Sequence, residues 1–225
     1  MLGLNLNLEW PRCPDGVILH DYGERDPDKP LLSGEPSGKY IRYRTTRQIK
    51  VTWEIKNLES PIVLSFVNSR DDDSLIGFLS RHGLTSGGWT APDGAREIEW
   101  GNVKRDQRAL RTLLFQLDGG EPIETAVKRI NTVLARRQHF ALVPALYFSE
   151  GAAEPRLGLR PQTLLGFMLT EIAMIAAAGA RTKLCRHCGS LITTGHLTGR
   201  RSSAIYCGDR CRVAAMRKRQ KAEAK

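Results

Sequence analysis

The spacing of apolar positions changes along this chain, and that change predicts most of its elements. Ile49, Val51, Trp53 and Ile55 alternate with Lys50, Thr52, Glu54 and Lys56, the period-2 pattern of a strand with one buried face. Tyr40, Ile41, Arg42 and Tyr43 read as the partner strand of a hairpin with it. Residues 1–38 are rich in Pro and Gly and read as irregular, with one short strand at Val17, Ile18 and Leu19. After Pro61 the period lengthens to that of a helix. Asp71, Asp72 and Asp73 stand where a cap belongs, Leu75, Ile76, Phe78 and Leu79 supply an apolar face, and Gly83 ends the helix. Residues 85–97 read as a loop.

A second helix is expected to start at Asn102. It carries Val103, Leu110, Leu113, Leu114 and Leu117 on one face and stops at Gly119-Gly120. Pro122 then opens a third, faced by Ile123, Ala126, Val127, Ile130, Val133 and Leu134. Residues 140–148 read as a strand. The most apolar run, 163–180, contains Glu171 and is rich in Ala and Gly, so it falls short of a membrane span. It is expected to be a buried helix over 161–179, with Leu165, Leu169, Ile172 and Ile175 in the core. The fold class is therefore α+β with helix dominant: a body over 1–180, mainly helical from 61 to 180, and a small module over 181–225.

Charge sharpens that division. The 225 residues carry a net charge of +10, and residues 181–225 hold twelve Lys/Arg against two Asp/Glu. The first 180 residues are thus neutral overall, and the whole excess belongs to the last 45. Such asymmetry marks a device for a polyanion attached to a neutral body. The opening MLGLNLNLEW has no positive stretch ahead of an apolar one, so no signal peptide is expected and the location is expected to be cytoplasmic.

The basic segment also holds four of the five cysteines. Cys185 and Cys188 form C-x2-C; after eighteen intervening residues, Cys207 and Cys211 form C-x3-C. Two tight local turns brought together place four thiolates around a tetrahedral Zn²⁺. Residues 185–189 read as a knuckle, with Gly189 letting the backbone turn. Residues 191–193 and 203–206 read as a hairpin, and Asp209 as the cap of a helix with Cys211 in its first turn. Knuckle, hairpin and helix make a treble-clef-like finger. The competing readings are disulfides, unrelated buried thiols, a redox C-x-x-C, and His196 as a substitute ligand; His187 is read as a non-ligand. Cys13 reads as a spare thiol. Four thiolates close the site, so no catalytic role is expected of the ion. An HNH-type nuclease would need a general-base histidine, for which His196 is the candidate.

From Asp209 onward the sequence is a helix former dense in positive charge. Arg210, Arg217 and Lys221 share one face; Arg212 and Arg219 lie on what reads as an adjacent one, with Lys218 beside them. Arg200 and Arg201 extend the patch from the preceding loop. These eight residues are the expected phosphate contacts. An acidic protein partner is the rival.

Residues 164–220 resemble the C-terminal part of bacterial proteins that join an ABATE-type domain to a CGNR-type zinc finger, a family regarded as stress-responsive transcription regulators. The matching features are the apolar helix leading into C-x2-C-G, the arginines between the pairs, and the aromatic-Cys…Cys-Arg step into an Arg-rich helix. Leu64-Ser65-Phe66-Val67-Asn68-Ser69-Arg70 resembles the family's L-D-F-V-N-T stretch. Here Gly208-Asp209-Arg210 stands between the last two cysteines, closer to a Tyr-Cys-Ser-x-x-Cys-Arg form. The resemblance implies a DNA-binding regulator with a sensor or dimerisation body. The expected partners are nucleic acid, DNA before RNA, and a second copy of the chain.

Overall fold

The structure is a computed structural model that describes residues 7–24, 37–55, 58–91, 93–120, 122–136, 142–147 and 156–223. It is α+β, and the chain divides into two compact units. The first comprises Met1–Glu54, Ser69–Arg108 and Gln138–Phe167; the second comprises Ile55–Asn68, Ala109–Arg137 and Met168–Lys225.

In the first unit, β1 (Asn7–Arg12) pairs antiparallel with β4 (Ile49–Glu54). A four-stranded antiparallel sheet runs β2 (Val17–Asp21), β3 (Lys39–Tyr43), β6 (Arg96–Glu99), β5 (Trp89–Thr90). The expected hairpin between 40–43 and 49–56 is thus corrected: both strands form, but they do not pair. Alternation specifies which side chains are buried, not which strand lies alongside. The buried Leu8 and Trp10 stand opposite Trp53 and Val51 in the register, and β1 takes that place. The expected short strand at Val17–Leu19 forms within β2, and β1 is a second strand in a stretch that reads as irregular.

The helix α2 (Asp72–His82) has the expected ends. The Asp71 carboxylate accepts from the Ser74 N–H at 2.7 Å, and Gly83 at φ +94° closes it. A Cβ at Gly83 would lie 2.7 Å from the Pro11 carbonyl, so glycine is required there on two counts. Leu75, Phe78 and Leu79 are buried, as are Leu8, Ile41 and Tyr43 of the strands. The expected loop at 85–97 is interrupted by the two-residue strand β5 and ends in β6, which starts at Arg96. Strands β7 (Leu142–Tyr147) and β8 (Arg156–Pro161) pair antiparallel, so the segment 61–180 carries strands as well as helices. The expected strand ends at 140, 141 and 148 lie outside the described residues.

In the second unit, α1 (Ile62–Asn68) buries Val63, Leu64, Phe66 and Val67. α3 (Trp100–Phe115) begins in the first unit and ends in the second; it starts two residues before Asn102, whose side chain donates to Glu99 instead of capping the helix. Its later residues Leu110, Leu113 and Leu114 are buried. α4 (Ile123–Arg136) buries Ala126 and Ile130 but leaves Val127 exposed; the side chains of Ile123, Val133 and Leu134 lie outside the described set.

The apolar run forms α5 (Leu164–Ala177), and Leu165, Leu169, Ile172 and Ile175 are buried as expected. A helix apolar all round has no face for water. Among the described residues no helix is long and apolar enough to cross a membrane. Glu171 interrupts α5 for a reason. Its carboxylate accepts the Ile62 N–H at 2.9 Å and the Val63 N–H at 2.7 Å, capping α1. Burial still dominates and pushes its pKa up to about 8, against the pull of those two donors. The unit is completed by β9 (Arg181–Leu184), β10 (Leu191–Thr194) and α6 (Asp209–Glu223).

Candidate metal centre

The centre is built on the β9–β10 hairpin, whose register pairs Leu184 with Leu191 and Arg181 with Thr194. Between them the chain turns through Cys185–Ser190. Cys185 N–H donates to the Ser190 carbonyl at 2.8 Å, and Gly189 N–H donates to the Cys185 carbonyl at 2.8 Å. Gly189 sits at φ +69°, left-handed backbone that a side chain would strain. The turn presents Cys185 and Cys188 together. The second pair frames the start of α6: Cys207 precedes it and Cys211 is its third residue. Two bonds dock the pairs to each other. Arg186 N–H donates to the Ile205 carbonyl at 2.9 Å, and Cys207 N–H donates to Cys185 Sγ at 3.3 Å.

All four sulfurs lie within 4.8 Å of one another. Cys188 Sγ is 3.7 Å from Cys207 Sγ, and Cys207 Sγ is 3.3 Å from Cys211 Sγ. A tetrahedron with metal–sulfur bonds of about 2.3 Å has edges of about 3.8 Å. The spacing therefore suits a tetrahedral S4 ion. All five cysteines are free thiols, which sets aside the disulfide reading.

Comparison of the chain with protein-family models, curated proteins and solved structures returned no match.

The electrostatics of the cluster also suit a cation. Burial opposes ionisation of Cys185, but N–H groups of Cys188, Cys207 and His187 outweigh it and hold the thiol below its ordinary range. The Ser190 hydroxyl, 3.3 Å from Cys188 Sγ, draws that thiol down to about 6. Burial and the neighbouring sulfurs push Cys207 up. Four thiols in contact cannot all ionise unaided, and a divalent ion removes the repulsion. His187 and His196 are exposed and do not belong to the cluster, nor does the buried Cys13.

The finger's expected hairpin is corrected as well. Residues 203–206 form no strand, because β9 lies alongside β10 and the short turn closes that pairing first. The later segment contributes the Ile205 carbonyl instead. Asp209 begins α6 rather than capping it, and its carboxylate pairs with Arg212 at 2.9 Å. Of the expected phosphate contacts, Arg201 is exposed in the loop, while Arg210, Arg212, Arg217, Lys218, Arg219 and Lys221 are exposed along α6. Arg200 is half-buried: its guanidinium donates to the Glu59 carbonyl at 3.2 Å and to the Cys207 carbonyl at 3.4 Å. At about 100° per residue, Arg212 and Arg219 lie opposite Arg210, Arg217 and Lys221 rather than adjacent to them. The two stripes flank Val213 and Met216.

Sequence reasoning missed Asn68. Its amide donates to the Leu191 carbonyl at 2.9 Å and accepts the Leu191 N–H at 2.7 Å. Because Cys185 and Ser190 are the hydrogen-bonded pair of the ladder, both polar groups of Leu191 face away from β9. Asn68 takes both and so holds the hairpin that carries Cys185 and Cys188 against α1. Thr182 reinforces this, donating N–H to the Leu117 carbonyl at 3.1 Å.

Proposed function

We propose that this protein is a zinc-stabilised nucleic-acid-binding protein, a transcription regulator that binds DNA before RNA. The observation that carries the reading is the four-cysteine cluster at the foot of α6, a helix with six exposed Lys/Arg side chains. Zinc suits four thiolates in a closed tetrahedron, leaves no position for water, and so gives the ion a structural role. The ion would fix the first turn of α6, and the cations along it would contact phosphates. The resemblance to ABATE and CGNR-type regulators implies the same function, with the N-terminal part as sensor or dimerisation unit.

The test is titration of DNA into the full-length zinc-loaded protein across a salt series. With about four phosphates neutralised, log K should fall against log salt with a slope of roughly −3 to −4. Charge reversal at Arg217 and Arg219 should weaken binding to every sequence and flatten the slope. Absence of binding at low salt rejects the reading; nuclease-insensitive recovery of a stoichiometric acidic partner would favour a protein-interaction module.

A further inference from the structure

A cavity of about 420 Å³ opens between the Arg200–Cys207 loop and the first turn of α6. Exposed Arg201 and Arg212 line it, and so does Arg200, which is held in place by its two carbonyl bonds. The remaining wall is largely apolar, formed by the half-buried Ala204, Ile205, Tyr206 and Cys207, with exposed Ser203 and Gly208 at its rim. Asp209 is also at the edge, but its charge is answered by Arg212 at 2.9 Å, leaving Arg200 and Arg201 as the unbalanced cations. The volume lies at the small end of the roughly 300–1,000 Å³ of ligand pockets.

A surface serving only duplex phosphates has no use for a concave apolar wall. In a duplex the base faces are covered by their neighbours; an unpaired base presents its face, and aromatic side chains stack on it. An adjoining arginine pair supplies the phosphate contact. Resting on the nucleic-acid reading above, we propose that this cavity holds one unpaired nucleotide of a nucleic-acid strand, base against Tyr206 and Ile205, phosphate toward Arg200 and Arg201. The protein would then favour single-stranded or locally opened DNA over a perfect duplex. The cavity is also tied to the ion's own ligands. Its wall is pinned by the Arg186 N–H bond to the Ile205 carbonyl and by the Cys207 N–H bond to Cys185 Sγ.

The test is fluorescence anisotropy with full-length, metal-loaded protein and a labelled 12-nucleotide single strand, its perfect duplex, and free dAMP as competitor. The single strand should bind more tightly than the duplex. Tyr206→Leu should weaken single-strand binding roughly 5- to 150-fold, the effect of losing one base–aromatic stack, and leave the duplex unchanged. Ala204→Leu, which fills the cavity without touching Tyr206, should do the same; metal content of each variant checks that the finger is intact. Equal affinity for both DNA forms, insensitive to both variants, overturns the pocket while leaving salt-dependent nucleic-acid binding standing. Failure of both DNA forms to bind overturns both. Displacement of the single strand by dAMP at concentrations comparable to the oligonucleotide's own Kd assigns the cavity to a free nucleotide and overturns the strand.

Discussion

Replacing Asn68 by Ala isolates the device that holds the hairpin carrying Cys185 and Cys188. The substitution removes one donor and one acceptor, at 2.9 and 2.7 Å, from the backbone of a residue that is 2% exposed. Leaving a buried backbone group unsatisfied costs about 1–3 kcal/mol. Asn68 is itself half-buried, so water reaches part of the vacated space and the lower half of that range applies. Two groups together give a loss of about 2–4 kcal/mol, or a fall in Tm of roughly 4–16 °C for a chain of this size. Asn68→Asp separates the two bonds. The introduced carboxylate still accepts the Leu191 N–H but opposes its carbonyl, and protonation at low pH restores a donor. The defect should therefore shrink as pH falls toward about 4 and be fully relieved below it. Differential scanning calorimetry and the rate of metal transfer to a chromogenic chelator are the measurements; the variants should melt earlier and release metal faster. An Asn68→Ala protein that melts within about 2 °C of the parent and loses metal at the same rate would refute the clamp.

Two further outcomes are expected. Cys207→Ser should abolish stoichiometric metal binding, and hydrogen exchange should rise across 200–223 while β9 and β10 stay protected, since Asn68 and Leu117 hold them independently of the ion; collapse of the whole hairpin would contradict this. Glu171, with a folded pKa of about 8 against an ordinary value of 4.5, retains its proton longer in the folded state, so its contribution to stability falls as pH rises from about 4.5 to 8, by at most about 1.4 kcal/mol per unit. Urea unfolding at several pH values should give a steeper decline for the parent than for Glu171→Gln, and parallel curves would exclude the assignment.

Which of these features the sequence disclosed follows from how far apart their partners are. Asp71 and Gly83 announce α2 because a cap acts within a few residues. The cysteine pairs are legible for the same reason: each is a local turn. The partner of the Ile49–Glu54 strand was not legible, because the choice lies with Leu8 and Trp10 some forty residues earlier. Asn68 and Leu191 are 123 residues apart, and Glu171 lies 109 from Ile62. The lone carboxylate in an otherwise apolar helix was the available signal, since a buried acid needs donors from somewhere. The cavity beside Tyr206 was hidden by the expectation that 203–206 would be a strand.

Both metal-binding sulfurs of the second pair sit at the base of α6, and twelve residues of helix extend past Cys211. Val213, Ala214 and Ala215 are still half-buried, so the overhanging part of α6 runs from Met216 to Glu223 and is about 12 Å long. A tilt of about 10° at the root of that overhang would carry the tip about 2 Å. Arg210 and Arg212, at the root, keep their aim through such a tilt. On the proposed nucleic-acid reading, Arg217, Arg219 and Lys221 would follow such a tilt with their long side chains and keep their attraction to the same phosphates. On that reading, positional accuracy would be concentrated at the root of the helix, and the outer half would supply attraction that depends little on register.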